Sequence, residues 1–183
     1  VRYLYILGGG EPMTRPALIM EMIRRLRAHG MNGGLHTNGT LFSDEMLQML
    51  VALEFATVCV SIDGPTERLN NRIRHSGFAE ATAALRRLAE LKRARGVAFP
   101  ELRIHTVVTN LTYDQLEAFV DLSEELGDDI AVWLVGLVAE TDTTRALDLS
   151  PEQKEAFPRH LESAIAYAET RQVPNNFRDY LDV

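Results

Sequence analysis

Residues 56–65 read ATVCVSIDGP, an apolar run that ends abruptly in a polar turn. Val58, Val60 and Ile62 alternate with small and polar side chains, so one face of the run is wholly apolar. Short runs of β-branched residues that are bounded by turn residues are typical of strands. The segment therefore predicts a strand over residues 56–62, with one face in the core and a more polar face opposite.

The same pattern recurs on both sides of this segment, where short apolar runs alternate with amphipathic helical stretches. Apolar strands that alternate with helices are typical of a parallel sheet covered by helices, which is an α/β fold. Five strands are too few for a closed barrel of eight. The alternatives are a doubly wound sheet and part of an open barrel. The predicted strands cover residues 2–7, 34–37, 56–62, 102–109 and 130–135.

Helix starts are predicted from cap residues. Ser43 precedes a short helix, and Ser76 precedes a long one that ends before Gly96. A Ser or Thr followed three residues later by Gln has the spacing of a capping box, and this spacing occurs at Thr112 and at Ser150.

Composition limits the class of protein. The chain has 183 residues, which is about one domain, and a net charge of −7. An acidic domain is a poor candidate for binding nucleic acid, whose phosphates need cations. No run approaches the ~20 apolar residues of a membrane span, so no membrane association is expected. The single cysteine, Cys59, excludes an internal disulfide and favours a reducing compartment, so a cytoplasmic location is expected.

One face of the predicted sheet is unusually polar. A dry core is not expected there, because buried polar groups need partners. This face predicts a cavity that is open to water or holds a ligand; the alternative is exposure at an edge or internal pairing, such as Asp63 with Arg103. The residues on this face are His36, Asn38, Ser61, Asp63, Arg103 and His105.

Polar motifs close four of the strands: GGGEP at 8–12, HTNGT at 36–40, SIDGP at 61–65 and TNLT at 109–112. In parallel α/β folds, ligands bind at the carboxyl ends of strands. Glu11 could clamp a ligand ammonium through charge-assisted hydrogen bonds, or it could be a solvated residue in a tight turn. Ser61 and Asp63 could share a polyhydroxyl ligand such as a ribose, although Asp-Gly-Pro is also an ordinary turn.

In this order, GGGEP, TNGT and SIDGP resemble the motifs of the radical S-adenosylmethionine (SAM) enzymes. The resemblance implies a partial (β/α)6 TIM-like open barrel with parallel strands, here without the first strand. It would occupy residues 1–171 and leave 172–183 as an unassigned tail. It also implies that Gly9, Gly10 and Glu11 hold the methionine amino group, that Ser61 and Asp63 contact the ribose or carboxylate, and that Asn38 and Asn110 lie near the cofactor.

The resemblance further implies a reaction. The family cleaves SAM reductively at a [4Fe-4S] cluster, using an external reductant, and abstracts hydrogen from a substrate. The stretch SIDGP…RIRHSGF…AALRRL resembles the branch that contains peptide-modifying maturases and sulfatase activators. A peptide or protein is therefore the expected substrate.

The sequence departs from the family pattern in one respect. The CxxxCxxC loop that binds the cluster is absent, and Cys59 lies in another strand, so this chain has no metal ligands of that kind and is expected to be inactive by itself. Either the first strand and its loop lie outside this sequence, which the start inside a strand favours, or the protein is a degenerate, non-catalytic SAM-binding or interaction domain. A (β/α) barrel lyase is a weaker alternative, because Lys92 and Lys154 both fall in predicted helices.

Overall fold

The computed structural model describes residues 2–7, 10–138 and 140–181. Its centre is one sheet of five parallel strands in the order β1-β2-β3-β4-β5. A doubly wound sheet reverses direction at a switch point, whereas this order is strictly sequential. The predicted α/β partial barrel is therefore confirmed over the doubly wound alternative. The strands are β1 Tyr3–Ile6, β2 Asn32–Thr37, β3 Thr57–Ser61, β4 Glu101–Val107 and β5 Ile130–Val135.

Helices connect the strands and cover one face of the sheet. Ser43 and Ser150 cap helices as predicted, and Ser150 forms a full capping box with Gln153. The long helix begins at Phe78, after Gly77, rather than directly at Ser76. The helices are α1 Pro16–Ala28, α2 Asp44–Ala52, α3 Glu67–Arg74, α4 Phe78–Arg95, α5 Leu116–Leu126, α6 Asp142–Arg145 and α7 Pro151–Arg171, with 3-10 turns at Pro12–Thr14 and Phe177–Tyr180.

The predicted capping box at Thr112 is wrong. Helix α5 begins at Leu116, and no side chain caps it. The Thr112 hydroxyl lies 2.9 Å from the Thr109 hydroxyl and accepts a hydrogen bond from the Thr109 amide at 3.2 Å. Both threonines are buried, so their hydroxyls satisfy each other within the turn and the helix starts later.

The core lies between the sheet and the helices. The apolar face of the strands contributes Leu35, Val58 and Ile104, all fully buried, and the helices contribute Leu88 and Phe119. Burying one such side chain contributes about 1.5–3 kcal/mol. The apolar alternation in residues 56–62 therefore determines which face of the sheet the helices cover.

The two edges of the sheet differ. Strand β1 is an exposed edge: Tyr5 is 56% accessible, and Leu7, which follows the strand, is 63% accessible. Strand β5 is covered by residues 173–181: the Pro174 carbonyl accepts from the Val132 amide, and the Asn176 side chain bonds both the amide and the carbonyl of Leu134. The segment after α7 therefore protects one edge from further strand pairing.

None of the helices in the described part of the chain combines the length and the apolar composition of a membrane span.

Candidate active site

A cleft of about 270 Å³ opens at the carboxyl ends of β1, β2 and β3. Neighbouring parallel strands end at the same edge of a sheet, which brings their terminal motifs together. Three motifs that are far apart in the sequence, and the last residue of α3, therefore share one cleft. Its lining includes Gly10, Glu11, His36, Asn38, Ser61 and Arg74.

Glu11 is held firmly at the mouth of this cleft. Its Oε1 accepts from the Met13 backbone amide at 3.0 Å and from the Thr37 hydroxyl at 2.6 Å. Its Oε2 accepts from the Asn38 backbone amide at 2.7 Å. Each carboxylate oxygen can accept about two hydrogen bonds. Described residues fill both positions on Oε1 and one on Oε2, so one acceptor position of a fixed carboxylate is left for a ligand.

Asn38 stands next to Glu11 at the end of β2. Its Oδ1 accepts from the amide and the hydroxyl of Thr40, at 2.9 and 2.8 Å, which closes the turn after the strand. The side-chain NH2 group makes no hydrogen bond to a described residue. Asn38 can therefore offer a donor to a ligand in the cleft.

Ser61 and Arg74 line the cleft beside β3, whereas Asp63 lies behind them. The Asp63 side chain is almost fully buried: Oδ1 accepts from the Val107 amide at 2.9 Å, and Oδ2 accepts from Arg74 Nη1 at 2.5 Å. The Asp63 amide in turn donates to Asn70 Oδ1 in α3. The structure therefore places Asp63 where it orients Arg74, and places Ser61 and Arg74 at the cleft.

The alternative pairing of Asp63 with Arg103 is wrong. Arg103 donates instead to Glu101 at 2.7 Å, and its guanidinium lies 4.2 Å from the centre of the Trp133 ring. The physical reason is the nearby end of α3, which places Arg74 closer to the Asp63 carboxylate.

One predicted residue lies away from the cleft, and another is outside the described part of the chain. Asn110 does not line the cleft. Its side-chain amide donates to the Ala146 carbonyl, and its backbone amide donates to the Leu147 carbonyl. It therefore links the end of β4 to the segment that precedes α7. Gly9 lies outside the described residues.

The radical SAM superfamily model matches residues 3–123, which include the cleft and β1 to β4. The chain belongs to the radical SAM superfamily. Among curated relatives, mycofactocin maturase MftC of Mycobacterium ulcerans is 32% identical over 127 residues, which are 69% of this chain and 32% of the relative. PqqA peptide cyclase of Ruegeria pomeroyi is 34% identical over 66% of this chain and 31% of its own length.

The chain spans about a third of the length of these relatives. Two peptide-bound proteins are among the solved structures that share its fold. The anSMEcpe structure with bound AdoMet and the Kp18Cys peptide has a TM-score of 0.72 at 22% identity, covering 97% of this chain and 50% of that one. SuiB of Streptococcus suis bound to the precursor peptide SuiA has a TM-score of 0.71 at 18% identity, covering 95% of this chain and 38% of that one.

The polar face of this radical SAM barrel carries a second cluster next to the cleft. The His36 and His105 rings stack edge to face with centroids 4.7 Å apart, so these two residues share a face as predicted. Cys59 lies between them, because it pairs with His36 in the β2–β3 register. Burial raises the pKa of the Cys59 thiol to about 12 and lowers that of His105 to about 4, so both groups are neutral near pH 7.

Sequence reasoning missed the place of Arg74 in this cleft and the contact of Thr37 with Glu11. Arg74 lies in a helix, α3, that was not predicted, although Thr66 caps it by accepting from the Leu69 amide. A threonine just before a charged, helix-compatible stretch was the available signal. Nothing in the sequence indicated that Thr37 would donate to Glu11, because that contact joins two different strand ends.

Proposed function

We propose that the cleft binds SAM by its amino-acid end, and that the protein of which this domain forms part is an enzyme that modifies a peptide by radical chemistry. One observation carries this proposal. A fixed carboxylate, Glu11, and a guanidinium, Arg74, line the same cleft. Together they complement the ammonium and the carboxylate of an amino-acid group.

The two charged residues both have hydrogen-bonding capacity left. Glu11 keeps one acceptor position on Oε2, as described above. Arg74 uses Nη1 for Asp63, and a guanidinium carries five N–H donors. Glu11 therefore takes the ammonium of SAM in this proposal, and Arg74 takes the carboxylate, while Asp63 acts by positioning Arg74.

The neutral residues of the cleft fit the rest of such a ligand. A Cβ added at Gly10 would meet no described atom within 4 Å, so the backbone there is open to close approach. Ser61 offers a hydroxyl, and Asn38 offers its NH2 group. We assign these groups, with the neighbouring Gly9, to the ligand; for Asn110 the prediction of a place near the cofactor stands, although the described contacts are elsewhere.

The residues of this chain do not fit the [4Fe-4S] cluster of the family. Such clusters are held by several thiolates, and Cys59, the only cysteine, is 1% exposed within β3. The ligands therefore have to come from outside this chain, and so does the reductant. We infer that this chain alone binds SAM but does not turn it over.

The peptide substrate is inferred from the relatives. Two curated relatives are named as a maturase and a peptide cyclase, and two solved structures of the same fold hold peptides. The chemistry supplied by bound SAM in this family is hydrogen abstraction, while the chain's own residues bind and orient the cofactor.

Isothermal titration of the chain with SAM tests this proposal. Glu11→Gln removes one charge-assisted hydrogen bond, worth about 1.5–3 kcal/mol, so it should weaken binding roughly 10- to 150-fold. Arg74→Gln should weaken it similarly. The matched control is Glu21→Gln, because Glu21 is an exposed carboxylate on α1 whose ion pair among the described residues is with Arg25.

Thermal unfolding of each variant shows whether it is folded under the conditions of the titration. SAM binding that is unchanged in folded Glu11→Gln and Arg74→Gln would remove both residues from the site. A wild-type chain that binds no SAM would overturn the proposal itself.

A further inference from the structure

Three side chains of the polar face have no role in the proposed binding of SAM: His36, Cys59 and His105. His36 does, however, form part of the wall of the cleft. Each offers one potential ligand atom, and these atoms all lie within 4.8 Å of one another. The three residues come from adjacent strands, β2, β3 and β4, and they are held on one face by the sheet register. A rigid sheet therefore brings together two imidazoles and a thiol.

The imidazoles of this cluster have unused ligand capacity. The Nε2 atoms of His36 and His105 are buried and have no hydrogen-bond partner among the described residues. A buried polar nitrogen without a partner costs about 1–3 kcal/mol, and most such atoms in proteins are paired. Two of them next to one thiol are an observation that a metal ion would explain.

We propose that His36, Cys59 and His105 form a binding site for a borderline-soft divalent metal ion of the Zn²⁺ class, next to the cleft. Histidine nitrogen and cysteine sulfur are both common ligands of Zn²⁺. Three protein ligands leave a fourth tetrahedral position for water or a bound molecule. His36 also lines the cleft, so the metal site would adjoin the cleft.

The distances require only a small adjustment. Bonds of about 2.0–2.3 Å to a common tetrahedral ion place ligand atoms about 3.3–3.6 Å apart. Separations of up to 4.8 Å therefore have to shorten by up to about 1.5 Å, which inward rotation of two side chains can share. The strands that carry them need not move.

The charges around the cluster permit a cation. Arg103 pairs with Cys59 in the β3–β4 register, and its charge alone would oppose metal binding. Its guanidinium, however, is bonded to Glu101 and lies over the Trp133 ring, which balances much of that charge. Binding forms a metal–sulfur bond and breaks the Cys59 S–H bond, and the proton leaves to the buffer, so metal uptake releases one proton.

Titration of the metal-free chain with Co²⁺ and with Zn²⁺ tests the site. We expect one ion per chain, a visible spectrum of tetrahedral Co²⁺, and a sulfur-to-metal charge-transfer band. Since the chain has one cysteine, that band reports on Cys59 alone. Calorimetry of Zn²⁺ binding in buffers of different ionisation enthalpy measures the proton that is released.

The variants Cys59→Ser and His105→Gln should each weaken Zn²⁺ binding by at least about 100-fold, because loss of even an outer partner of a ligand costs about 10–100-fold. Cys59→Ser should also abolish the charge-transfer band. His29→Gln is the matched control, because His29 is an exposed histidine bonded to the Arg25 carbonyl. This substitution should change neither the Zn²⁺ affinity nor the charge-transfer band.

Zn²⁺ should also raise the melting temperature of the wild-type chain but not that of Cys59→Ser, a comparison that requires only that the variant folds. Failure to bind Co²⁺ and Zn²⁺, a Co²⁺ complex without the sulfur band, or equal affinity in the wild type and Cys59→Ser would each overturn the proposal. None of these measurements uses SAM, so their outcome is independent of the proposed function.

Discussion

Replacing Asp63 by Asn tests the contact that positions Arg74 in the cleft. The Asp63 carboxylate is 7% exposed and joins the end of β3 to β4, through the Val107 amide, and to α3, through Arg74. Asn keeps the shape of the side chain and one oxygen for the Val107 amide. It replaces the oxygen that faces Arg74 by an NH2 group, so two donors then oppose each other.

The expected loss of stability follows from these contacts. A hydrogen bond to a charged group contributes about 1.5–3 kcal/mol. The Arg74 side chain is 31% exposed, so solvent screens part of the interaction and the lower half of that range is expected. For a chain of this length, 1 kcal/mol shifts the melting temperature by about 2–4 °C. Asp63→Asn should therefore lower it by about 3–9 °C.

Urea unfolding followed by circular dichroism measures the difference in the free energy of unfolding between the wild type and Asp63→Asn. The control is Glu21→Gln, which breaks the ion pair with Arg25, whose two side chains are 50% and 75% exposed. That pair is exposed to solvent and should contribute little to stability. If Asp63→Asn destabilises the chain no more than Glu21→Gln does, the Asp63–Arg74 contact does not hold the site together, and Arg74 is positioned by something else.

Three further substitutions test the fold. Gly64→Ala would place a Cβ 2.3 Å from the backbone nitrogen of Asn70, so α3 must shift. We expect the free energy of unfolding in urea to fall by about 1–3 kcal/mol. An unchanged midpoint would contradict the packing of this turn. Ser150→Ala removes the capping box with Gln153 and should cost about 1 kcal/mol in the same assay, whereas Ser150→Asp should largely restore the stability. Phe119→Ala empties a fully buried position and should cost about 3–5 kcal/mol by calorimetry; a cost below 1 kcal/mol would mean that Phe119 is not part of the core.

The strand pattern was the most predictable part of the fold. Alternating apolar residues such as Val58 and Val60 identify a strand and its buried face, because every second side chain points the same way. Helix α3 was missed because it has eight residues and a very polar composition, with only Asn70 buried. Its position depends on contacts with Asp63, which are long-range and leave no periodic signal.

The candidate site, like the fold, was predicted only in part. Glu11 and Ser61 were identified because they follow strands whose carboxyl ends must meet at one edge. The partners that fix them were not, since the Thr37 hydroxyl and the Arg74 guanidinium reach the site across strand boundaries. Asp63 was expected at the ligand, and the structure places it behind Arg74 instead, because burial requires its carboxylate to be paired.

The sequence by itself therefore determined the α/β class, the strands, the family and the residue types at each strand end. These properties depend on local alternation and on short motifs. Only the tertiary structure decided which polar groups meet: Glu11 with Asn38, Asp63 with Arg74, and His36 with Cys59 and His105. The physical reason is that each contact joins residues that are distant in the sequence. For His36, Cys59 and His105 it is strand register, because a shift of one residue would turn such a side chain to the opposite face.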